Sequence, residues 1–224
     1  MPAVRGASRP HPSIPPASIQ SASPQGTTQS RILSRVRGKG RGAVHVPSDF
    51  LDLGSRAAVD QALSRLARSG VLRRLARGLY DLPRQHHVLG PLPADLDRAA
   101  AAIARATGSR LQIGGAQAAN ALGLSTQVPA QLVYLTDGPS RTVRIGRRRI
   151  QLRHAAPRTL VGAGTAAGTV LQALRFLGPA SLTDAALQRV GQALDPADRS
   201  ALRRFTVHAP AWMRKALHQI SDVA

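Results

Sequence analysis

Residues 55–83 have the sequence SRAAVDQALSRLARSGVLRRLARGLYDLP, and this stretch decides how the first part of the chain folds. Ser55 is a favoured helix N-cap, and Gly70 is a typical stop. Between them, apolar residues recur at spacings of three, four and seven: Val59, Ala62, Leu63 and Leu66. This spacing predicts an amphipathic helix with one face in a core.

The opposite face of this helix is predicted to be small and polar. A turn of about 100° per residue places Ala57, Gln61, Ser64 and Arg68 there, with Arg56 near the N-terminal end. A solvated helix favours long charged residues on such a face, whereas short polar side chains allow close approach to base edges. The residues predicted to enter the major groove of DNA are Arg56, Ala57, Gln61 and Ser64.

A basic hairpin is predicted directly after the helix. Val71–Leu75 and Leu79–Leu82 are expected to be its strands, joined by residues 76–78, where Gly78 suits a positive φ. Three arginines are expected at its tip, placed to reach phosphates or a minor groove: Arg73, Arg74 and Arg77.

The residues before Ser55 complete this unit. A helical pattern begins at Thr28, a short strand is expected at Val44–Val46, and a second helix at 46–53. The order of helix, strand, helix, helix and basic hairpin predicts a winged helix-turn-helix over 27–83, with double-stranded DNA as the partner. The arginines expected to hold phosphates are Arg31, Arg35, Arg65, Arg68, Arg73, Arg74 and Arg77. A trihelical unit can also serve as a protein-interaction module, and that alternative stays open.

The composition points to a polyanionic partner. The chain has 31 basic and 11 acidic residues, a net charge of +20. All the acids are Asp and 29 of the basic residues are Arg, which is typical of a GC-rich genome. Such a bias exchanges Lys for Arg but does not create a charge excess, so nucleic acid remains the expected partner, without a choice between DNA and RNA. Because no cysteine occurs and no apolar run approaches ~18 residues, we expect a cytoplasmic protein.

The remaining chain predicts an α+β protein with a second domain. Residues 1–26 are rich in proline and serine and are expected to be a disordered tail, and 84–93 a linker. The second domain, 94–224, is expected to contain a small mixed sheet. Its predicted strands are 111–113, 132–135, 142–145 and 150–152, and its predicted helices are 95–107, 115–122, 165–177, 183–194, 197–204 and 210–220.

A second basic patch is predicted on a hairpin of this domain. Its arginines are Arg144, Arg147, Arg148, Arg149 and Arg153, with Val143, Ile145, Ile150 and Leu152 on the buried side. The patch is either a solvated sheet face or a site for DNA backbone or an acidic partner protein.

Catalytic and cofactor sites are not expected. Gly162, Gly164 and Gly168 faintly imitate a dinucleotide-binding loop, but no strand precedes them, so close helix packing is the favoured interpretation. The histidines lack metal-ligand spacing, no glutamate is present, and no nucleophile motif occurs. We therefore expect no metal, no cofactor and no enzymatic activity.

The chain resembles the AbiEi family of antitoxins of type IV toxin-antitoxin systems. The resemblance rests on residues 55–83 quoted above, on GSRLQIGGAQAANALGLSTQVPAQLVYLTDG at 108–138, on RTVRIGRRRIQLRHAAPR at 141–158, and on APAWM at 209–213. It implies a winged domain that represses its own operon by binding inverted repeats, and a C-terminal domain that opposes an AbiEii-like nucleotidyltransferase toxin. A general winged-helix regulator without a toxin and a basic RNA-binding module are the alternatives.

Overall fold

The computed structural model describes residues 26–127 and 131–223. These residues form an α+β fold of eight α-helices and nine short β-strands. The tail predicted for 1–26 lies outside the described residues, apart from Gly26. None of the described helices combines the length and the apolar character needed to cross a membrane.

The first part of the chain contains two helices separated by a strand and a short turn. Helix α1 is Thr28–Lys39, strand β1 is Val44–His45, a 3₁₀ turn is Pro47–Phe50, and helix α2 is Arg56–Arg68. The side chains of Thr27 and Ser55 accept hydrogen bonds from Ser30 N and Ala58 N, which fixes where the two helices begin. The helix predicted at 46–53 is therefore wrong in type and length, because Pro47 and an Asp49 side chain bonded to Val46 N close a single 3₁₀ turn.

A three-stranded antiparallel sheet follows α2. Strands β2 (Arg73–Ala76) and β3 (Leu79–Asp81) form a hairpin, and β1 pairs with the other edge of β3, giving the order β1-β3-β2. The turn of this hairpin has two residues, Arg77 and Gly78, and Gly78 has φ +68°. The pairing register of the two strands shifts between Arg74 and Ala76. The sequence predicted a three-residue connection, 76–78, so the predicted loop was one residue too long.

The two faces of this sheet belong to two different cores. Tyr80 packs into the helical core, which is formed by Ile32, Val36, Phe50, Val59, Leu63, Leu66 and Leu72. Val44 and Leu79 pack into the central core, together with residues far along the chain: Leu96, Ala99, Ile103, Tyr134, Ile150 and Leu152. The first part of the chain, residues 28–81, and the second half therefore share buried apolar surface.

The segment predicted as a linker is folded. Strands β4 (Gln85–His86) and β5 (Gly90–Pro91) pair as a small hairpin, and Leu92 N donates to Arg84 O at 2.8 Å. Arg73 also donates to Leu92 O at 2.8 Å. Residues 84–93 are thus tied to the sheet.

A mixed four-stranded sheet organises the second half. Helix α3 (Leu96–Ala106) precedes strand β6 (Leu111–Ile113) and helix α4 (Gly115–Ala121). Strands β7 (Leu132–Thr136), β8 (Arg141–Ile145) and β9 (Arg148–His154) then complete a sheet of order β6-β7-β9-β8. Only the β7–β9 pair in it is parallel. The predicted mixed sheet is confirmed, and one face of it packs on α3.

Four helices end the described chain. They are α5 (Ala166–Leu177), α6 (Asp184–Ala193), α7 (Pro196–Phe205) and α8 (Ala211–Ser221). Their apolar faces form a third core, which includes Val170, Leu174, Leu202, Met213 and Leu217. Helix α4 packs on α5 and joins this bundle to the sheet.

Candidate nucleic-acid interface

The outward face of α2 is the centre of the candidate interface. Val59, Leu63 and Leu66 are buried in the helical core and hold the helix in one rotational setting. On the other side Ala57 and Gln61 are exposed and Ser64 is partly exposed. Short side chains therefore form the middle of this face, as the sequence predicted.

Arginines surround that face. Arg56, Arg65 and Arg68 are exposed, and Arg65 and Arg68 form no ion pair with any residue that the structure describes. Arg56 Nε lies 2.9 Å from Asp60 Oδ2, one turn along the helix. Both of these side chains are at least half exposed, so a phosphate can replace the carboxylate at little cost.

The hairpin arginines divide between two faces of the sheet. Arg74 lies opposite Tyr80, and cross-strand partners share a face, so exposed Arg74 stands on the same face as the helical core and α2. Arg77 is exposed at the turn. These two arginines remain candidates for phosphate contact.

The structure engages Arg73 within the protein, which disfavours its predicted phosphate contact. Arg73 lies opposite Asp81, on the face that Val44 shares and that packs toward the central core. Its Nε and NH2 groups donate to the two oxygens of Asp81 at 3.0 and 2.6 Å, and its NH1 group donates to Leu92 O. All of the donating nitrogens of Arg73 are thus engaged inside the protein.

The two α1 arginines also differ. Arg35 donates to both oxygens of Asp52 at 2.7 and 2.6 Å and to the Asp49 carbonyl at 2.9 Å. The hydrogen bonds with Arg35 hold the pKa of the Asp52 carboxyl below its usual range. Arg35 thus holds a two-point pair with Asp52 at the surface, with side chains 35% and 60% exposed, and its phosphate contact stays a prediction. Arg31 is exposed and makes a single 3.4 Å contact with the Leu53 carbonyl, so it remains a candidate.

The second predicted patch is on strands β8 and β9 and the turn between them. Its five arginines are all exposed: Arg144, Arg147, Arg148, Arg149 and Arg153. On the other side of these strands Ile150 and Leu152 are buried, as the alternating pattern predicted.

A cleft of about 620 Å³ between α1, β1 and α3 was not predicted from the sequence. Its lining includes Lys39, His45, Asp49 and Arg105. Arg105 donates to both oxygens of Asp49 at 2.9 Å, which ties α3 to the 3₁₀ turn. Asp49 and Arg105 are 56 positions apart in the sequence. A contact over this separation cannot be predicted from a local sequence pattern.

His45 is buried at the wall of this cleft. Burial lowers its pKa, the charge of Arg105 lowers it further, and Asp49, whose carboxylate lies 4.0 Å from Nδ1, opposes the shift. The Nε2 atom has no hydrogen-bond partner among the described residues. The neutral ring packs against Phe50, with ring centroids 5.6 Å apart.

The glycine-rich segment before α5 packs against itself. Gly162 has φ +69°, and a Cβ on Gly168 would collide with the Gly162 carbonyl group. The buried Gln112 side chain accepts a hydrogen bond from Gly164 N at 2.9 Å. The prediction of close packing is confirmed. Within 26–127 and 131–223, no cluster of three or more His, Asp or Glu residues could hold a metal ion.

Three comparisons with known proteins complete the description. A crystal structure of the RV2827C protein from Mycobacterium tuberculosis matches with a TM-score of 0.40 and 17% sequence identity, over 86% of this chain and 81% of that chain. The comparison with curated proteins gives no match. The model of the family of unknown function DUF6088 matches residues 31–202, which is most of the sequence. The chain therefore belongs to the DUF6088 family.

Proposed function

We propose that this chain is a transcriptional regulator that binds duplex DNA through a winged helix-turn-helix. The observation that carries the proposal is the outward face of α2, where short polar residues lie beside exposed Arg65 and Arg68, which form no ion pair with any described residue. The element order from α1 to β3 and the sheet order β1-β3-β2 support this assignment. In such a unit the helix after the turn enters the major groove.

The proposed contacts fall into two groups. Gln61 offers an amide that can form two hydrogen bonds with an adenine edge, and Ser64 and Ala57 leave room for the approach. Phosphate contacts come from arginines around that face, which position the helix without reading the sequence. These are Arg31, Arg56, Arg65, Arg68, Arg74 and Arg77.

The same face is poorly suited to binding a protein partner. Protein interfaces centre on buried aromatic or large apolar anchors, surrounded by residues that exclude water. The centre of the α2 face holds Ala57, Gln61 and Ser64 instead, and its margin is cationic. This composition favours a polyanion over an apolar protein surface.

A role as an antitoxin is the more specific part of the proposal. It rests on the resemblance to AbiEi antitoxins and assigns repression of the chain's own toxin-antitoxin operon to the winged unit. The second half would then oppose a nucleotidyltransferase-like AbiEii toxin. An adjacent reading frame of that toxin class would support this role, and its absence would favour a regulator without a toxin.

Protection mapping on the chain's own promoter tests the proposal. A dimeric regulator with this motif protects two half-sites separated by one turn of DNA, about 34–36 Å, or by a multiple of that distance. We expect two protected inverted repeats, lost when Gln61 and Ser64 are both replaced by Ala. Uniform protection along the promoter would contradict sequence-specific regulation.

A further inference from the structure

We infer that the outer face of the β8–β9 hairpin is a second phosphate-binding surface, which contacts the same duplex as α2. The inference rests on the proposed function and extends its interface into the second half of the chain. We define the β8–β9 patch as Arg144, Arg149 and Arg153 on the outer face with Arg147 in the turn, whereas Arg148 of the predicted patch pairs with Ile145 and lies at the end of the apolar face. The patch contacts would hold DNA without reading its sequence.

The strand register separates an apolar face from a basic one. Val143 lies opposite Ile150, and both pack on the central core. Thr142 lies opposite Gln151, and Arg144 opposite Arg149, so these four residues share the outer face. Because the apolar residues must stay in the core, the strand register cannot slip by one residue. The cationic and polar residues are therefore held on the outer face.

The positive charges of this patch are not neutralised within the part of the chain that the structure describes. None of the four patch arginines forms an ion pair there, whereas Arg105 and Arg110 in the same half pair with Asp49 and Asp137. Residues 141–158 contain seven arginines and no acid. The excess of positive charge is therefore concentrated in this hairpin and does not simply reflect the basic composition of the whole chain.

One pair of the patch is electrostatically unfavourable in the free protein. Arg144 and Arg149 stand directly opposite each other on neighbouring strands, and like charges in that position repel. A phosphate bound between them would convert this repulsion into attraction. A solvated face without a ligand gains nothing from such a pair.

The patch lies beside the proposed DNA-binding hairpin. Strand β8 is the last strand of its sheet, and it contacts β2. Leu75 and Ala76 at the end of β2 pack into the same central core as Val143 and Ile145 of β8. The hairpin that carries Arg74 and Arg77 thus packs beside the β8–β9 hairpin through this shared apolar core.

The side chains of the outer face favour DNA over an acidic protein. Apart from the arginines, this face offers Thr142 and Gln151, which are hydrogen-bond donors to phosphate oxygens. A protein interface would require an apolar or aromatic anchor at its centre, and neither strand places one there. These side chains therefore suit a contact with the DNA backbone that does not depend on base sequence.

Duplex binding at several salt concentrations tests the inference. The test variant carries R144Q, R149Q and R153Q, and the control variant carries R189Q, R204Q and K215Q on α6, α7 and α8. Each variant loses three positive charges from exposed side chains. Each lost phosphate contact makes the plot of log K against log salt less steep by about 0.9. We therefore expect the magnitude of the slope to be smaller by about two to three for the test variant. Its affinity should fall by about tenfold or more on both operator and random duplex, while the control changes little.

Two outcomes would contradict the inference. Equal affinities and slopes for the test and control variants, with intact binding by the unmodified protein, would overturn the second surface and leave the α2 proposal standing. Failure of the unmodified protein to bind duplex would overturn both. Circular dichroism confirms the fold of each variant, and the single substitution R149Q, with an expected slope change of about one, serves if the triple variant misfolds.

Discussion

Arg73 and Asp81 face each other across the β2–β3 hairpin and form two hydrogen bonds, Nε to Oδ1 at 3.0 Å and NH2 to Oδ2 at 2.6 Å. Asp81 is 1% exposed, and the third nitrogen of Arg73 donates to Leu92 O. The pair joins the hairpin to the segment that leads into the second half. An arginine that sequence placed among the DNA contacts is thus a structural residue.

Replacement of Arg73 by Gln is expected to destabilise the fold. The substitution leaves the buried Asp81 carboxylate without its charged partner, which costs about 3–5 kcal/mol in unfolding free energy. Chemical denaturation measures this cost. The neighbouring R74Q is the matched control, because Arg74 is exposed and unpaired among the described residues, and its stability should equal that of the unmodified protein. Equal stability of R73Q and R74Q would contradict the structural role.

Replacement of Gln61 by Ala should relax sequence preference. A lost pair of hydrogen bonds to one base costs about 1–3 kcal/mol on the operator and nothing on random duplex. Competition binding with operators altered at single base pairs measures the change. R77A is the contrast, since it should weaken binding to all duplexes alike and lower the salt slope by about one. Equal losses on operator and random DNA for Gln61→Ala would remove it from the base-reading set.

The stability of the fold should decrease in mild acid because of His45. Its pKa is lowered by burial, so the unfolded chain takes up the proton first as pH falls below about 6.5. Stability from this group is therefore full above that pH and is lost below it, down to the folded-state pKa. Denaturation midpoints between pH 7.5 and about 5 measure the loss, which should be smaller in His45→Gln. Parallel pH profiles for the two proteins would argue against this origin.

Aspartates act in a separate, more acidic window. Burial disfavours the charged form of Asp49, but hydrogen bonds from Arg105 and from Val46 N outweigh it and lower the pKa. A carboxyl with a lowered pKa stabilises the fold above its unfolded value and loses this contribution as pH falls below about 4. Denaturation above about pH 5 therefore records the His45 contribution while Asp49 keeps its full contribution.

Two glycine substitutions should change stability in opposite directions. Gly168→Ala places a methyl group against the backbone of Gly162, and overpacking of this kind costs about 1–3 kcal/mol. Gly38→Ala in α1 meets no atom within 4 Å and should stabilise the helix by up to about 1 kcal/mol. Thermal unfolding of both variants measures the difference. A neutral Gly168→Ala would mean that this segment has room for a side chain.

The sequence predicted the helices and strands well where local signals were strong. Ser55 and Gly70 mark α2 because capping and the positive φ of Gly70 are local properties. The strands and helices of the second half, from β6 to α8, also lie within a few residues of their predicted bounds. Periodicity and turn residues are sufficient for such elements.

The errors came from local strand geometry and from contacts between distant residues. The predicted hairpin had a three-residue connection, whereas the actual turn has two residues and a shifted register. The prediction also placed Arg73 and Arg74 together at the tip, but consecutive strand residues alternate between faces, so Arg73 lies opposite Asp81 and Arg74 opposite Tyr80. The Arg35–Asp52 pair and the shared central core likewise depend on packing between segments that no spacing rule connects.

Binding of a labelled duplex by an α2 variant tests the central claim most directly. The variant R65Q/R68Q removes two arginines beside the short-residue face that pair with no residue of 26–127 or 131–223, and R189Q/R204Q removes the same charge from α6 and α7. A structured RNA of equal length is measured at the same salt. We expect duplex affinity to fall by about tenfold or more in the α2 variant, with a salt slope lower by about two and little change in the control. Unchanged duplex binding by R65Q/R68Q, or tighter binding of the RNA by the unmodified protein, would contradict the account.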